Sequence, residues 1–62
     1  MPNRIRERRE QLGLTQTELA NKLKLSISYL SKIENEKTPI NVKLAIRIAR
    51  ALKTTVEEIF FD

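Results

Sequence analysis

Apolar residues along the chain recur at spacings of three and four, which gathers them on one side of a helix, and they alternate too seldom for strands. Ile5 and Leu12 share a stripe and predict a first helix over about 4–12, closed by Gly13, a residue suited to a helix terminus. Thr15-Gln16-Thr17-Glu18 has the form of a capping box, whose hydroxyl and carboxylate satisfy amides that a helix start leaves unpaired. Leu19, Ala20 and Leu23 follow on an inward face and predict a second helix over 16–23. Ser26 is a good N-cap for a third over 27–35, with Leu30, Ile33 and Glu34 on one face. Thr38-Pro39-Ile40 breaks the pattern, Asn41 caps, and Ala45, Ile48, Ala49 and Leu52 form the stripe of a fourth helix over 42–52. Thr55-Val56-Glu57-Glu58 is a second capping box, opening a short fifth helix over 56–60 with Val56, Ile59 and Phe60 inward. No repeat, linker or low-complexity tract divides the five, so 1–62 reads as one all-α domain.

The second and third helices are separated by only about three residues, with Ala20 where they must cross closely, which is a helix-turn-helix arrangement. Opposite the buried stripe of the third helix lie Ser28, Ser31, Lys32 and Asn35. Small hydrogen-bonding side chains there let the helix backbone approach a groove and Lys32 reach a base edge; the plainer reading is a solvated face. Glu34 falls on the inward stripe, where a lone carboxylate is costly to desolvate. Arg9 falls on the core face of the first helix, so the spacing predicts an Arg9–Glu34 ion pair tying the first helix to the third. The alternative is that both side chains extend separately to water.

Composition narrows the chemistry. Without cysteine there is no disulfide or thiolate metal site, and without histidine the commonest metal ligand and acid-base group are missing. Carboxylates, lysines and a single tyrosine remain, and Glu57 and Glu58 are explained as helix-start charges, so neither an enzyme nor a cofactor is expected. Charged residues make up 32% of the chain and no apolar run is long enough to span a bilayer. A secretory signal is not expected either, and the chain reads as cytoplasmic. Sixty-two residues hardly provide a pocket for a small-molecule ligand. So short a domain buries only about 60% of the surface its unfolded chain exposes, so its core must be efficient or helped by a partner subunit.

The net charge is +4, unevenly placed. Residues 1–53 hold all twelve cations against five acids, whereas 54–62 hold Glu57, Glu58 and Asp62. A basic body on a chain of pI near 9.9 favours a polyanionic partner, nucleic acid before a membrane surface.

Leu12-Gly13-Leu14-Thr15-Gln16-Thr17-Glu18-Leu19-Ala20, followed by Leu30-Ser31-Lys32-Ile33-Glu34-Asn35, resembles the phage-repressor and Cro type of helix-turn-helix domain, the XRE family. The likeness runs through Ala49-Arg50-Ala51-Leu52 and Val56-Glu57-Glu58-Ile59-Phe60. It implies a compact five-helix lambda-repressor-like fold with the third helix in the DNA major groove and the start of the second facing a phosphate. Carried over, it makes Gln16 a phosphate contact, Ile27, Ser28 and Lys32 the principal base readers, and Asn35 and Lys37 backbone contacts. Arg9 and Glu34 also fall on the internal ion pair of that family. Where the resemblance expects glycine, this sequence has Lys24 in the turn and Glu36 after the third helix, each costing about 1 kcal/mol if the backbone is left-handed.

Lys32 suits guanine O6 or N7, Ser28 and Ser31 either donor or acceptor edges, and Ile27 a thymine methyl. Lys43, near the start of the fourth helix, adds sequence-independent attraction or is merely solvated. Direct readout by one copy is thin, so specificity is expected from a homodimer on a two-fold-related operator. Phe61, about 140° around the fifth helix from Val56, and Ile46, off the stripe of the fourth, are the candidate dimer contacts. Tyr29 is expected to pack against the loop between the third and fourth helices. The sequence thus points to a sequence-specific, double-stranded-DNA-binding transcriptional regulator, a repressor in particular. The alternative is a protein-interaction module, antitoxin-like or adaptor, using the same fold.

Overall fold

The spacing of the apolar residues becomes five helices: α1 (Ile5–Gln11), α2 (Gln16–Leu23), α3 (Ile27–Glu34), α4 (Val42–Ala51) and α5 (Val56–Phe60). The computed structural model describes residues 3–61, and among them there is no strand. Met1, Pro2 and the tail acid Asp62 lie outside the described residues. The helices expected over 4–12, 27–35 and 42–52 are shorter at their ends, because Arg4, Leu12, Asn35 and Leu52 are caps rather than helical residues. A cap completes the hydrogen bonding of the terminal turn without itself belonging to the regular spiral.

Each start from α2 onward is held by the side chain just before it. Thr15 Oγ1 accepts from the Glu18 amide at 3.0 Å, and Glu18 Oε1 accepts from the Thr15 amide at 2.8 Å. The backbone N–H of Thr15, then its hydroxyl, hold the Glu18 carboxyl below its ordinary pKa. Ser26 Oγ accepts from the Tyr29 amide at 3.1 Å and Asn41 Oδ1 from the Leu44 amide at 2.8 Å. Of the box expected at Thr55 the forward bond forms, from the Glu58 amide to Thr55 Oγ1 at 3.2 Å.

The first four helices end alike. One or two residues past each end the backbone turns left-handed, at Gly13 (φ 71°), Lys24 (57°), Glu36 (59°) and Lys53 (56°). In each case the next amide reaches back to the carbonyl five residues earlier: Leu14 to Arg9, Leu25 to Ala20, Lys37 to Lys32 and Thr54 to Ala49, at 2.8 to 3.0 Å. These are Schellman terminations, which satisfy carbonyls that the helix leaves unpaired. Only the first uses glycine.

The core takes one or more residues from every helix. Ile5, Leu19, Leu30, Ile48 and Leu52 are wholly buried, and Leu23, Ile33 and Ile59 nearly so. α2 packs on both α3 and α4, and α4 packs on α5. On α4 the expected stripe needs a correction: Leu44 is buried and Ala45 only half-buried. Leu44, Ile48 and Leu52 form a strict four-residue row, and the longer side chain on that row reaches the core first. Tyr29 is half-buried against the same cluster. At the start of α1, Asn3 Nδ2 donates to the Ile33 carbonyl at 2.9 Å, and the Arg4 amide donates to the Ile59 carbonyl at 2.8 Å, so α1 is pinned to both α3 and α5.

Candidate nucleic-acid interface

α3 has two chemically opposed sides. Leu30, Ile33 and Glu34 are buried, while Ile27, Ser28, Lys32 and Asn35 are exposed and Ser31 is half-buried. Ala20, the small residue expected at the close approach of α2 and α3, is 1% exposed within the core. A larger side chain there would overpack the core. Ile27 is 46% exposed, so an apolar residue stands in water at the leading end of the helix. Asn35 Nδ2 donates to the Ser31 carbonyl at 2.9 Å and to Ser31 Oγ at 3.4 Å. That ties two of the sequence-nominated residues together at the trailing end.

Beneath this face sits a buried charge cluster. Arg9 Nε donates to Glu34 Oε2 at 2.9 Å and Arg9 Nη2 to Glu34 Oε1 at 3.3 Å, a two-pronged pair between α1 and α3. Arg9 Nη1 also donates to the Leu14 carbonyl at 3.0 Å, bracing the loop that leads into α2. The half-buried Gln16, first residue of α2, donates from Nε2 to Glu34 Oε1 at 3.4 Å. Its amide nitrogen must face the carboxylate, since the amide oxygen would be repelled. The pair therefore fixes the relation of α1, α2 and α3, on which the presentation of Lys32 and the serines depends.

Lys37 and Lys43 stand exposed, as does Glu36 beside the former. Of the two residues expected at a subunit contact, both are exposed, and one of them lines a groove. Phe61, 50% exposed, lines an apolar groove with Ile40, Val42, Ala45, Val56 and Phe60, and Ile46 is not part of that lining. Phe61 lies just beyond α5 with extended backbone (φ −130°, ψ 140°), so its exposure follows from the chain leaving the helix rather than from helical phase. Val42, 76% exposed, is the most open of the large apolar residues and was missed because it opens α4 beside the inward stripe.

Three arginines also escaped the sequence reading. Arg6 Nε lies 3.6 Å from Glu34 Oε1, and its position three residues before Arg9 on one helix face was a usable signal. Arg47 donates from Nη2 to the Leu23 carbonyl at 2.6 Å, at the C-terminus of α2. Arg8 donates to the carbonyls of Leu52 and Lys53 at 3.0 and 3.2 Å, at the end of α4. Both cations sit where helix carbonyls concentrate negative potential.

The sequence matches the helix-turn-helix family over residues 5–59, the span from the first turn of α1 into α5. This chain belongs to that family. Its helix-turn-helix relatives include an uncharacterized HTH-type transcriptional regulator of Archaeoglobus fulgidus, 38% identical over all of this chain and 90% of that protein. Another, from Methanothermobacter thermautotrophicus, is 42% identical over 90% of this chain and 83% of its own length. The HTH-type transcriptional regulator PrpR of Mycobacterium tuberculosis is 44% identical over 69% of this chain, which spans only 9% of that longer protein. The five helices, without strands among the described residues, fit the lambda-repressor-like form of the helix-turn-helix fold. No helix among the described residues is long and apolar enough to cross a membrane.

Proposed function

We propose that this chain is a sequence-specific, double-stranded-DNA-binding transcriptional regulator that places α3 in the major groove and acts as a homodimer. The observation that carries the reading is the division of α3. One side is sealed by Leu30, Ile33 and Glu34, and the other offers Ile27, Ser28 and Lys32 to solvent without an acidic side chain among them. Lys32 donates to guanine O6 or N7, the serines pair with either edge type, and Ile27 covers a thymine methyl. Gln16 positions the domain on a phosphate, with Lys37 and Lys43 adding attraction that does not depend on sequence. Asn35, held by Ser31, contributes a backbone contact at the far end of the helix.

Two copies joined through the apolar groove around Phe61 and Val42 would read two half-sites about 34 Å apart, compensating for the few base contacts each copy makes. Occupying such a site is sufficient to repress, whereas activation needs a further surface for the transcription machinery. The test is selection of bound sites from random duplexes, followed by binding measurements on the selected site and on scrambled DNA. Lys32→Ala is expected to weaken the selected site by about 1 to 3 kcal/mol and relax preference at one position, and Gln16→Ala to weaken all sequences alike. Equal losses on every duplex for both variants would remove the division into readers and clamps. A folded chain whose binding to duplex is absent or indifferent to salt would support a protein-interaction role instead.

A further inference from the structure

The Glu34 cluster carries one more positive charge than its carboxylate requires. The side chain of Glu34 is 0% exposed, and Arg9 already answers it through two hydrogen bonds at 2.9 and 3.3 Å. Arg6 approaches from outside at 3.6 Å with its side chain 57% exposed, too long and too wet to stabilise the carboxylate much further. Yet Arg6 is directed to a particular atom. Glu34 Oε1, the oxygen it faces, is the one that takes the Gln16 amide at 3.4 Å. That one carboxylate oxygen therefore gathers three nitrogens, Arg9 Nη2, Gln16 Nε2 and Arg6 Nε, and of the three residues Arg9 is buried while Gln16 and Arg6 reach toward solvent at the α1–α2–α3 junction. Gln16 uses one of two amide hydrogens on Glu34, and the guanidinium of Arg6 has a fork of N–H groups beyond Nε. Their remaining hydrogens suit a phosphate oxygen, and the planar fork matches a phosphodiester better than an ammonium does.

We infer that Arg6 is a DNA phosphate contact, gripping together with Gln16 one phosphodiester of the duplex, with the buried Glu34 carboxylate as the positioning residue for both. The inference rests on the duplex-binding reading above. Arg6 can move from carboxylate to phosphate at little cost, because Arg9 stays behind to balance Glu34. Binding thus exchanges a loose, hydrated ion pair for a phosphate contact without leaving a buried charge uncovered.

The test uses the whole chain and a labelled random-sequence duplex of about 20 base pairs, two helical turns. Affinity is followed by fluorescence anisotropy as salt is raised. Arg6→Gln is expected to reduce the slope of log affinity against log salt by about 0.9, the share of one phosphate, and Arg6→Lys to restore most of it. Both variants should melt close to the parent, since Arg9 retains Glu34. If the parent binds and Arg6→Gln keeps the full slope, Arg6 is not a phosphate contact and the duplex-binding reading survives. A folded parent that leaves the duplex free overturns both. A second measurement needs no variant: the Nε–Hε resonance of Arg6 is expected to shift on adding duplex to the parent, and a resonance unmoved at saturation overturns the assignment.

Discussion

Lys24, Glu36 and Lys53 hold left-handed backbone in which a Cβ is crowded against the following carbonyl, a strain that glycine avoids. Each continues a sequence that would otherwise wind on, so each stops its helix against local preference. Lys24→Gly and Lys53→Gly are expected to raise stability by about 0.5 to 1 kcal/mol each in urea unfolding, part of the gain being offset by the freer unfolded chain. Gly13→Ala is expected to lower it by about 1 kcal/mol, purely through the backbone, as nothing lies within 4 Å of the position its Cβ would take. The helix end after Leu12 was legible because glycine marks it. The end before Lys53 has no glycine to mark it, and the expected bound at residue 52 came instead from the last residue of the apolar stripe and the capping box that follows at Thr55. Lys24 and Glu36 were noticed only through the resemblance, which expected glycine in their places.

At the scale of elements, one device holds the start of α2 and another ties α3 to α1. The first is the reciprocal bond between Thr15 and Glu18. Because the pKa of Glu18 is lower in the folded chain than in the unfolded one, the box stabilises α2 above the ordinary carboxylate range. That contribution is lost as pH falls through the folded value. Thermal melting from pH 6 down to about 2.5 is therefore expected to fall less steeply for Glu18→Gln than for the parent, the two curves converging at the acid end. Parallel curves would show that the carboxylate contributes nothing to the cap.

The second device is the Arg9–Glu34 pair. Arg9→Met leaves a buried carboxylate facing only Gln16 and the distant Arg6, and is expected to cost about 3 kcal/mol in chemical denaturation. The geometry of this pair was readable because two opposite charges on inward stripes demand each other. The carbonyl contacts of Arg8 and Arg47 were not, since they span 44 and 24 residues and an arginine's long stem leaves no trace in a periodicity of apolar positions. Leu44 was misplaced for a related reason: adjacent apolar residues Leu44 and Ala45 fit the helical stripe equally well until packing against α2 and α5 fixes the rotation of α4.

For the whole molecule, the question is what covers the groove of Ile40, Val42, Ala45, Val56, Phe60 and Phe61. If a second copy covers it, each residue counts twice across the two-fold axis. Removing one Phe side chain from the contact at about 1.5 to 3 kcal/mol per copy should then shift the dimer constant by more than a hundredfold. Sedimentation equilibrium is expected to show Phe61→Ser and Val42→Ser as monomers at concentrations where the parent is dimeric, with Ile46→Ser unchanged. A dimer that survives Phe61→Ser and dissolves with Ile46→Ser would move the contact to the outer face of α4. The five helices and most of the core followed from the spacing of apolar residues together with the caps and breaks between them. This groove did not, because it is assembled from α4, α5 and the loop before α4, three segments whose mutual placement no stripe specifies.

The bond from the Arg4 amide to the Ile59 carbonyl brings the beginning of α1 alongside the end of α5. The polypeptide is thus nearly a closed ring. Arg4 and Ile59 stand side by side, and a bridge of a few residues joining the two described ends would give a cyclic protein with the same interior and far fewer unfolded conformations. Fraying should be shared as well: loosening the last turn of α5 releases the first turn of α1, so the two extremities are expected to exchange their amide hydrogens as one unit.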